Sequence, residues 1–207
     1  MVVADATILA KSPVEECECA PGQLEAWSKD MDTFDVALLI LRLGVGLTFA
    51  AHGAQKVFGW WGGPGFENWQ GAMAHMGFRP ARVFASVSAG VELVGGLLLA
   101  VGFLTPLAGA ALIGQTVVII GQVHWQNGFF NTSGGIEFPL TLGVATAAIV
   151  LVGAGAWSID AALGIALEPV ARAGLVLLGL AGGAVTLAIP RVAAGRPSSN
   201  DRTASHA

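Results

Sequence analysis

Residues 36–58 read VALLILRLGVGLTFAAHGAQKVF. The hydrocarbon core of a bilayer is about 30 Å thick, and a helix with a rise of about 1.5 Å per residue crosses it in roughly 20 residues. This apolar run meets that length and therefore predicts a membrane-spanning helix. It also contains Arg42, His52 and Lys56, and such ionisable groups inside a membrane are candidates for function.

Four further apolar stretches pass the same length test. They lie at residues 81–103, 106–123, 138–157 and 170–189. In the whole chain 54% of the residues are hydrophobic and 12% are charged, whereas soluble domains carry about 25% charged residues because their surfaces face water. We therefore predict an all-α membrane protein. The net charge of −4 gives no basic field that would attract nucleic acid.

The segments around the spans carry two patterns with open alternatives. Between the first two spans, Phe66, Trp69 and Met73 recur at helical spacing, which is typical of a short helix on the membrane surface; an irregular loop is the alternative. On the fifth span, Gly179 and Gly183 form a G-x-x-x-G pattern. We interpret it as internal helix packing, with a dimer face as the alternative.

Both ends of the chain are polar. Residues 1–34 form an acidic arm with Cys17 and Cys19. These are either ordinary thiols or part of a redox or metal site, although zinc needs further ligands. Residues 161–190 are predicted to form a connector and the fifth span, and residues 191–207 a disordered polar tail.

The charged side chains of the first two spans need partners. At about 100° per helical residue, Arg42, His52 and Lys56 share one face of the first span. A charge at mid-membrane costs about 2.5–3.5 kcal/mol, and Lys56 reaches the interface more easily than Arg42 does. Glu92 lies near the middle of the second span. It is the predicted partner of Arg42 or Lys56, because pairing keeps a buried carboxylate ionised.

Polar residues also gather toward one predicted side of the membrane. Gln115 and Gln122 share a face of the third span, His124 ends that span, and Glu137 opens the fourth. Together with the polar end of the first span they predict a pocket that opens to this side. Either these groups form a functional site, or they are pairs that only fix the registry of the helices.

Several separated motifs resemble those of the DoxX family. They are LRLG (residues 41–44), HGAQK (52–56), ELVGG (92–96), the turn GFLTP (102–106), His124 followed by GFF (128–130), and GAGAWSID (153–160). The resemblance covers residues 35–160 and implies a four-helix transmembrane bundle in the bacterial cell (inner) membrane. The acidic arm and the fifth, C-terminal span depart from this pattern, so the orientation of the family in the membrane does not carry over.

The DoxX family is similar to the membrane subunit of thiosulfate:quinone oxidoreductase, and members are linked to membrane-bound sulfur and thiol redox systems. The resemblance implies a membrane subunit or anchor of a quinone-linked redox complex with a soluble partner protein, rather than a self-sufficient enzyme. We expect quinone as the ligand and no intrinsic haem, flavin or metal, because the sequence has no motif for them. A small-solute or ion transporter and a non-enzymatic scaffold or assembly factor are the alternatives, and a homo-oligomer is compatible with each.

The candidate intramembrane site consists of polar side chains from these motifs and spans: Arg42, His52, Gln55, Lys56, Glu92, His124 and Glu137. None of them is assigned as a catalytic residue. For a bound quinone we expect His52, Lys56 and Glu92 to supply hydrogen-bond donors and a proton route, with Trp60 or Trp61 beside the ring.

Overall fold

The computed structural model describes the backbone of residues 21–194 and the side chains of residues 33–189. Cys17, Cys19 and the rest of the predicted arm before residue 21 lie outside the described residues, as does the tail after residue 194. The chain has two compact units, Met1–Thr33 and Phe34–Ala207. The described part of the first unit is helical backbone, and the bundle and the candidate site belong to the second.

The regular structure of the described residues is entirely helical. In chain order the helices are α1 (Pro21–Phe58), α2 (Gly65–His75), α3 (Ala81–Gly90), α4 (Gly96–Val101), α5 (Thr105–Ile119), α6 (Glu137–Val152), α7 (Ile159–Ala162) and α8 (Pro169–Ala194). Two π-helical turns interrupt the regular hydrogen bonding of the spans. Val91–Gly95 joins α3 to α4, and Ile120–His124 extends α5.

Among the described residues, four helical stretches are long and apolar enough to cross a membrane: Thr33–Phe58, Ala81–Val101, Thr105–Asn127 and Pro169–Ile189. They match the first, second, third and fifth predicted spans and confirm an all-α membrane protein. The fourth span is the apolar helix α6, but it ends at Val152 and not at residue 157. Gly153 follows with a φ of 103°, which ends the helix and which glycine adopts without steric cost.

The first and second spans pack with their backbones in contact. A Cβ atom on Gly46 would lie 2.6 Å from the carbonyl oxygen of Gly96, and one on Gly53 would overlap the backbone of Leu93. Glycine therefore permits this close approach. It brings the C-terminal end of α1 beside the π-turn Val91–Gly95. Buried apolar side chains from four spans form the core of the bundle: Leu38, Val45, Phe49, Leu99, Leu112 and Ile149.

The fifth span packs along α5 through the predicted glycine pattern. A Cβ atom on Gly183 would lie 2.6 Å from the carbonyl oxygen of Gly114, and Gly179 lies against the backbone of Ala110. The G-x-x-x-G pattern therefore serves packing within the chain, as predicted.

The segment between the first two spans forms the predicted short helix, α2, and not an irregular loop. Gly59 and Gly65 adopt φ values of 72° and 69°, and these left-handed residues turn the chain between α1 and α2. Met73 is buried with Phe78 and Ala85 in a second apolar cluster. Because this cluster joins α2 to α3, α2 forms part of the wall at this end of the bundle.

Candidate functional site

Glu92 lies on the π-turn Val91–Gly95 inside the second span. Its side chain is 1% exposed, so its carboxylate is buried inside the bundle. Single π-turns within α-helices occur frequently at functional sites. A buried charge is retained in a protein only where it is paired and hydrogen-bonded, so the neighbours of Glu92 decide what this group can do.

Lys56 is the ionic partner of Glu92. The Lys56 Nζ atom lies 2.5 Å from Glu92 Oε1 and 4.3 Å from the centre of the Trp69 ring, which adds a cation–π interaction. Gln115 Nε2 donates to the same carboxylate oxygen at 3.2 Å and to Ser88 Oγ at 2.7 Å. The prediction that Glu92 pairs with a cation of the first span is confirmed for Lys56.

The ion pair borders a cavity of about 370 Å³ inside the bundle. The surface of its wall is mainly apolar, and six apolar side chains contribute to it: Phe49, Ile119, Val123, Phe138, Pro139 and Leu142. Polar and aromatic groups form the rest: His52, Lys56, Trp69, Glu92, Thr116, His124 and Asn131. A mainly apolar cavity with a few convergent polar groups is typical of a small-molecule site.

Two predicted histidines line this cavity. The His52 ring packs edge-on against Phe138, with 5.8 Å between the ring centres. His124 Nδ1 lies 2.6 Å from the carbonyl oxygen of Gly134. Since a carbonyl oxygen only accepts, Nδ1 donates this hydrogen bond.

Two buried polar atoms of the cavity wall have no hydrogen-bond partner in the described part of the chain. They are Glu92 Oε2 and Trp69 Nε1. A buried polar group without a partner costs about 1–3 kcal/mol, and native proteins keep few of them. We interpret both atoms as hydrogen-bonding positions that a bound molecule can use.

Arg42 lies away from this cavity, and the predicted pair between Arg42 and Glu92 is wrong. The buried Arg42 guanidinium donates to the carbonyl oxygens of Ala154 and Trp157, and Asp160 is the main carboxylate acting on its charge. It is about 20 Å along α1 from the ion pair. Carbonyl groups beyond the end of a helix have no intrahelical donors, so the loop after α6 supplies the acceptors that Arg42 needs.

Gln55 and Glu137 are also outside the cavity wall. Gln55 lies under the backbone of Gly63 and borders a separate, shallow recess. Glu137 is exposed, and its Oε2 accepts a hydrogen bond of 2.9 Å from the backbone N–H of Asn131. This contact closes the loop before α6 and gives Glu137 a structural role.

The roles of Trp69 and Gln115 were missed in the sequence. Trp60 and Trp61 were predicted beside a ligand ring, but they are 53% and 70% exposed and do not line the cavity. Trp69 does, and the signal for it was its position four residues before buried Met73 on the inner face of α2. For Gln115, the polar face of the third span was visible in the sequence, but its bond to Glu92 was not.

Comparison with known proteins gives one match, to a family sequence model. The sequence model of the DoxX family matches residues 37–125, a segment that includes the Lys56–Glu92 pair, His52 and His124. No match was found among curated proteins or among solved structures. The chain is therefore an integral membrane protein, and its residues 37–125 match the DoxX domain.

Proposed function

We propose that this protein is a DoxX-family membrane subunit or anchor of a quinone-linked redox complex in the bacterial cell membrane. The observation that carries the proposal is the cavity beside the Lys56–Glu92 pair. Its volume of about 370 Å³ falls within the range of small-molecule sites, about 300–1,000 Å³. A quinone head group suits such a cavity, because its flat ring is apolar and its two carbonyl oxygens need hydrogen-bond donors.

Quinone binding requires hydrogen-bond donors, and quinone reduction requires protons. The polar groups of the cavity can supply both. Lys56 Nζ and protonated histidine nitrogens donate to carbonyl oxygens. Reduction to the quinol adds two electrons and two protons, one proton to each oxygen. Glu92, His52 and His124 are groups that hold and release protons. None of these side chains carries electrons, so both electrons come from a soluble partner protein, which is part of the proposal.

A small-solute or ion transporter is the second candidate, because ionisable groups inside membranes also line permeation paths. The Lys56–Glu92 contact of 2.5 Å distinguishes the two. The cation and the carboxylate cancel each other's charge, so the cavity as a whole favours a neutral ligand such as a quinone over an ion.

Binding of decylubiquinone, a short-chain quinone, to the purified full-length protein tests the proposal. We expect saturable binding that weakens about tenfold or more in the Lys56→Met variant, which loses a donor to the quinone carbonyl, and that Glu92→Gln retains, because its amide can still donate. Glu67→Gln makes the same carboxylate-to-amide change at an exposed position of α2 and is expected to bind like the wild type. Absence of saturable binding, or equal affinity in all four proteins, would remove quinone from the proposal.

The redox role needs a second experiment in native membranes. We expect a mild-detergent purification of the tagged protein to recover a soluble oxidoreductase together with bound quinone. Recovery of the chain alone, combined with solute flux into liposomes that contain only this protein, would favour the transporter.

A further inference from the structure

Glu92 Oε2 and Trp69 Nε1 are complementary buried atoms that have no hydrogen-bond partner among the described residues. In its ion pair with Lys56 the Glu92 carboxylate offers Oε2 as an acceptor, and the indole nitrogen only donates. Both groups surround one ammonium: Glu92 Oε1 lies 2.5 Å from Lys56 Nζ, and the centre of the Trp69 ring lies 4.3 Å from it. Both residues line the cavity, and both atoms are buried without a partner in the described part of the chain.

A hydroxyl group matches this arrangement, because it donates through its hydrogen and accepts through its oxygen. A carbonyl or ether oxygen only accepts. It would leave Glu92 Oε2 unpaired and would place its own lone pairs near a carboxylate. The neutralised Lys56–Glu92 pair favours an uncharged ligand, and the rings of Phe49 and Phe138 in the cavity wall favour an aromatic one.

We propose that this cavity binds the hydroxyl-bearing form of an aromatic compound, a phenol or a quinol, more tightly than the matching quinone or aryl ether. The ligand hydroxyl donates to Glu92 Oε2, and Trp69 Nε1 donates to a ligand oxygen. This inference rests on the proposed function and extends it, because a quinone-linked site meets both redox forms and the free acceptor selects the reduced one.

Two ligands that differ only in the O–H group test the selectivity. We measure the affinities of 4-hexylphenol and 4-hexylanisole for the full chain in detergent by calorimetry. The wild type is expected to bind the phenol about tenfold more tightly, which corresponds to about 1.4 kcal/mol. In Glu92→Gln the two affinities are expected to come within about twofold, because an amide both donates and accepts. Glu67→Gln keeps the full preference.

The double variant Lys56→Met/Glu92→Gln repeats the measurement without a buried unpaired charge, and the same loss of preference is expected in it. Equal affinities in the wild type, or a full preference for the phenol in both Glu92 variants, would overturn the inference.

A parallel titration with decylubiquinone and its quinol separates this result from the proposed function. If both redox forms bind equally well, the quinone-linked role stands and the hydroxyl preference falls. If the phenol is preferred while neither redox form binds, the hydroxyl site stands and the quinone-linked role falls.

Discussion

Removal of one member of the Lys56–Glu92 pair is predicted to destabilise the protein more than removal of both. The side chains are 13% and 1% exposed. In Lys56→Met the Glu92 carboxylate stays buried with only the Gln115 amide, 3.2 Å away, as a donor. A buried charge that loses its partner costs about 3–5 kcal/mol. At about 2–4 °C per kcal/mol for a chain of this size, Tm falls by about 6–20 °C.

The reverse substitution is predicted to cost less. In Glu92→Gln, Lys56 keeps its contact with the Trp69 ring and can extend its ammonium toward the interface. We expect a loss of about 1–3 kcal/mol. The double variant Lys56→Met/Glu92→Gln contains neither charge, so it should regain most of the stability that Lys56→Met loses relative to the wild type. The coupling energy of the two sites is then about 3 kcal/mol or more, at the upper end of the range for residues in contact.

Unfolding in one detergent, followed by the loss of helical circular dichroism, measures this coupling. Wild type, both single variants, the double variant and Glu67→Gln form the complete set, and Glu67→Gln should match the wild type because it is exposed. A coupling energy below about 0.5 kcal/mol would refute the reasoning, since the two residues would then contribute independently to stability.

Three further substitutions test the packing that positions the site, each through Tm in detergent. Gly53→Ala should force α1 away from the second span, reduce the free energy of unfolding by about 1–3 kcal/mol and so lower Tm. The control Gly44→Ala, with nothing within 4 Å of its added Cβ, should not lower Tm. Gly183→Ala should loosen α8 from α5, whereas Gly182→Ala, which points into open space, should have little effect; equal Tm values would contradict the packing. Asp160→Asn should cost about 1–3 kcal/mol, because its carboxylate accepts two backbone N–H groups at the start of α5, at 2.7 and 2.9 Å.

The helical spans were predictable because hydropathy and length are local properties of the sequence. The end of α6 was not, since it depends on contacts far away in the chain. After Gly153 the chain takes a non-helical path, and that path is held by Arg42 and by the Asp35 carboxylate, which accepts from the Ala156 backbone N–H at 2.9 Å. A window of hydrophobic residues contains no information about such partners.

The partner of Glu92 shows the same limit at the site. Helical spacing placed Arg42 and Lys56 on one face of α1, so both were candidates, and spacing alone could not rank them. The ranking depends on the depth at which α1 packs against the second span, and that depth is set by the glycine contacts of Gly46 and Gly53. The π-turn Val91–Gly95, which carries Glu92, has no signal in hydropathy either.

The sequence left open whether the intramembrane charges form a functional site or only fix the registry of the helices. The two cations of α1 differ in this respect. Both terminal nitrogens of Arg42 donate to carbonyl groups of one loop, which is the behaviour of a group that fixes helix registry. The Lys56–Glu92 pair instead borders a cavity, and one of its carboxylate oxygens has no partner within the described part of the chain. Arg42 Nε also lacks a partner among the described residues, so the missing bond alone does not distinguish Glu92 from Arg42; what distinguishes the pair is the cavity that Lys56 and Glu92 line. The position of the pair beside an apolar cavity favours a ligand-binding role for Glu92, and the hydroxyl-selectivity experiment tests this difference directly.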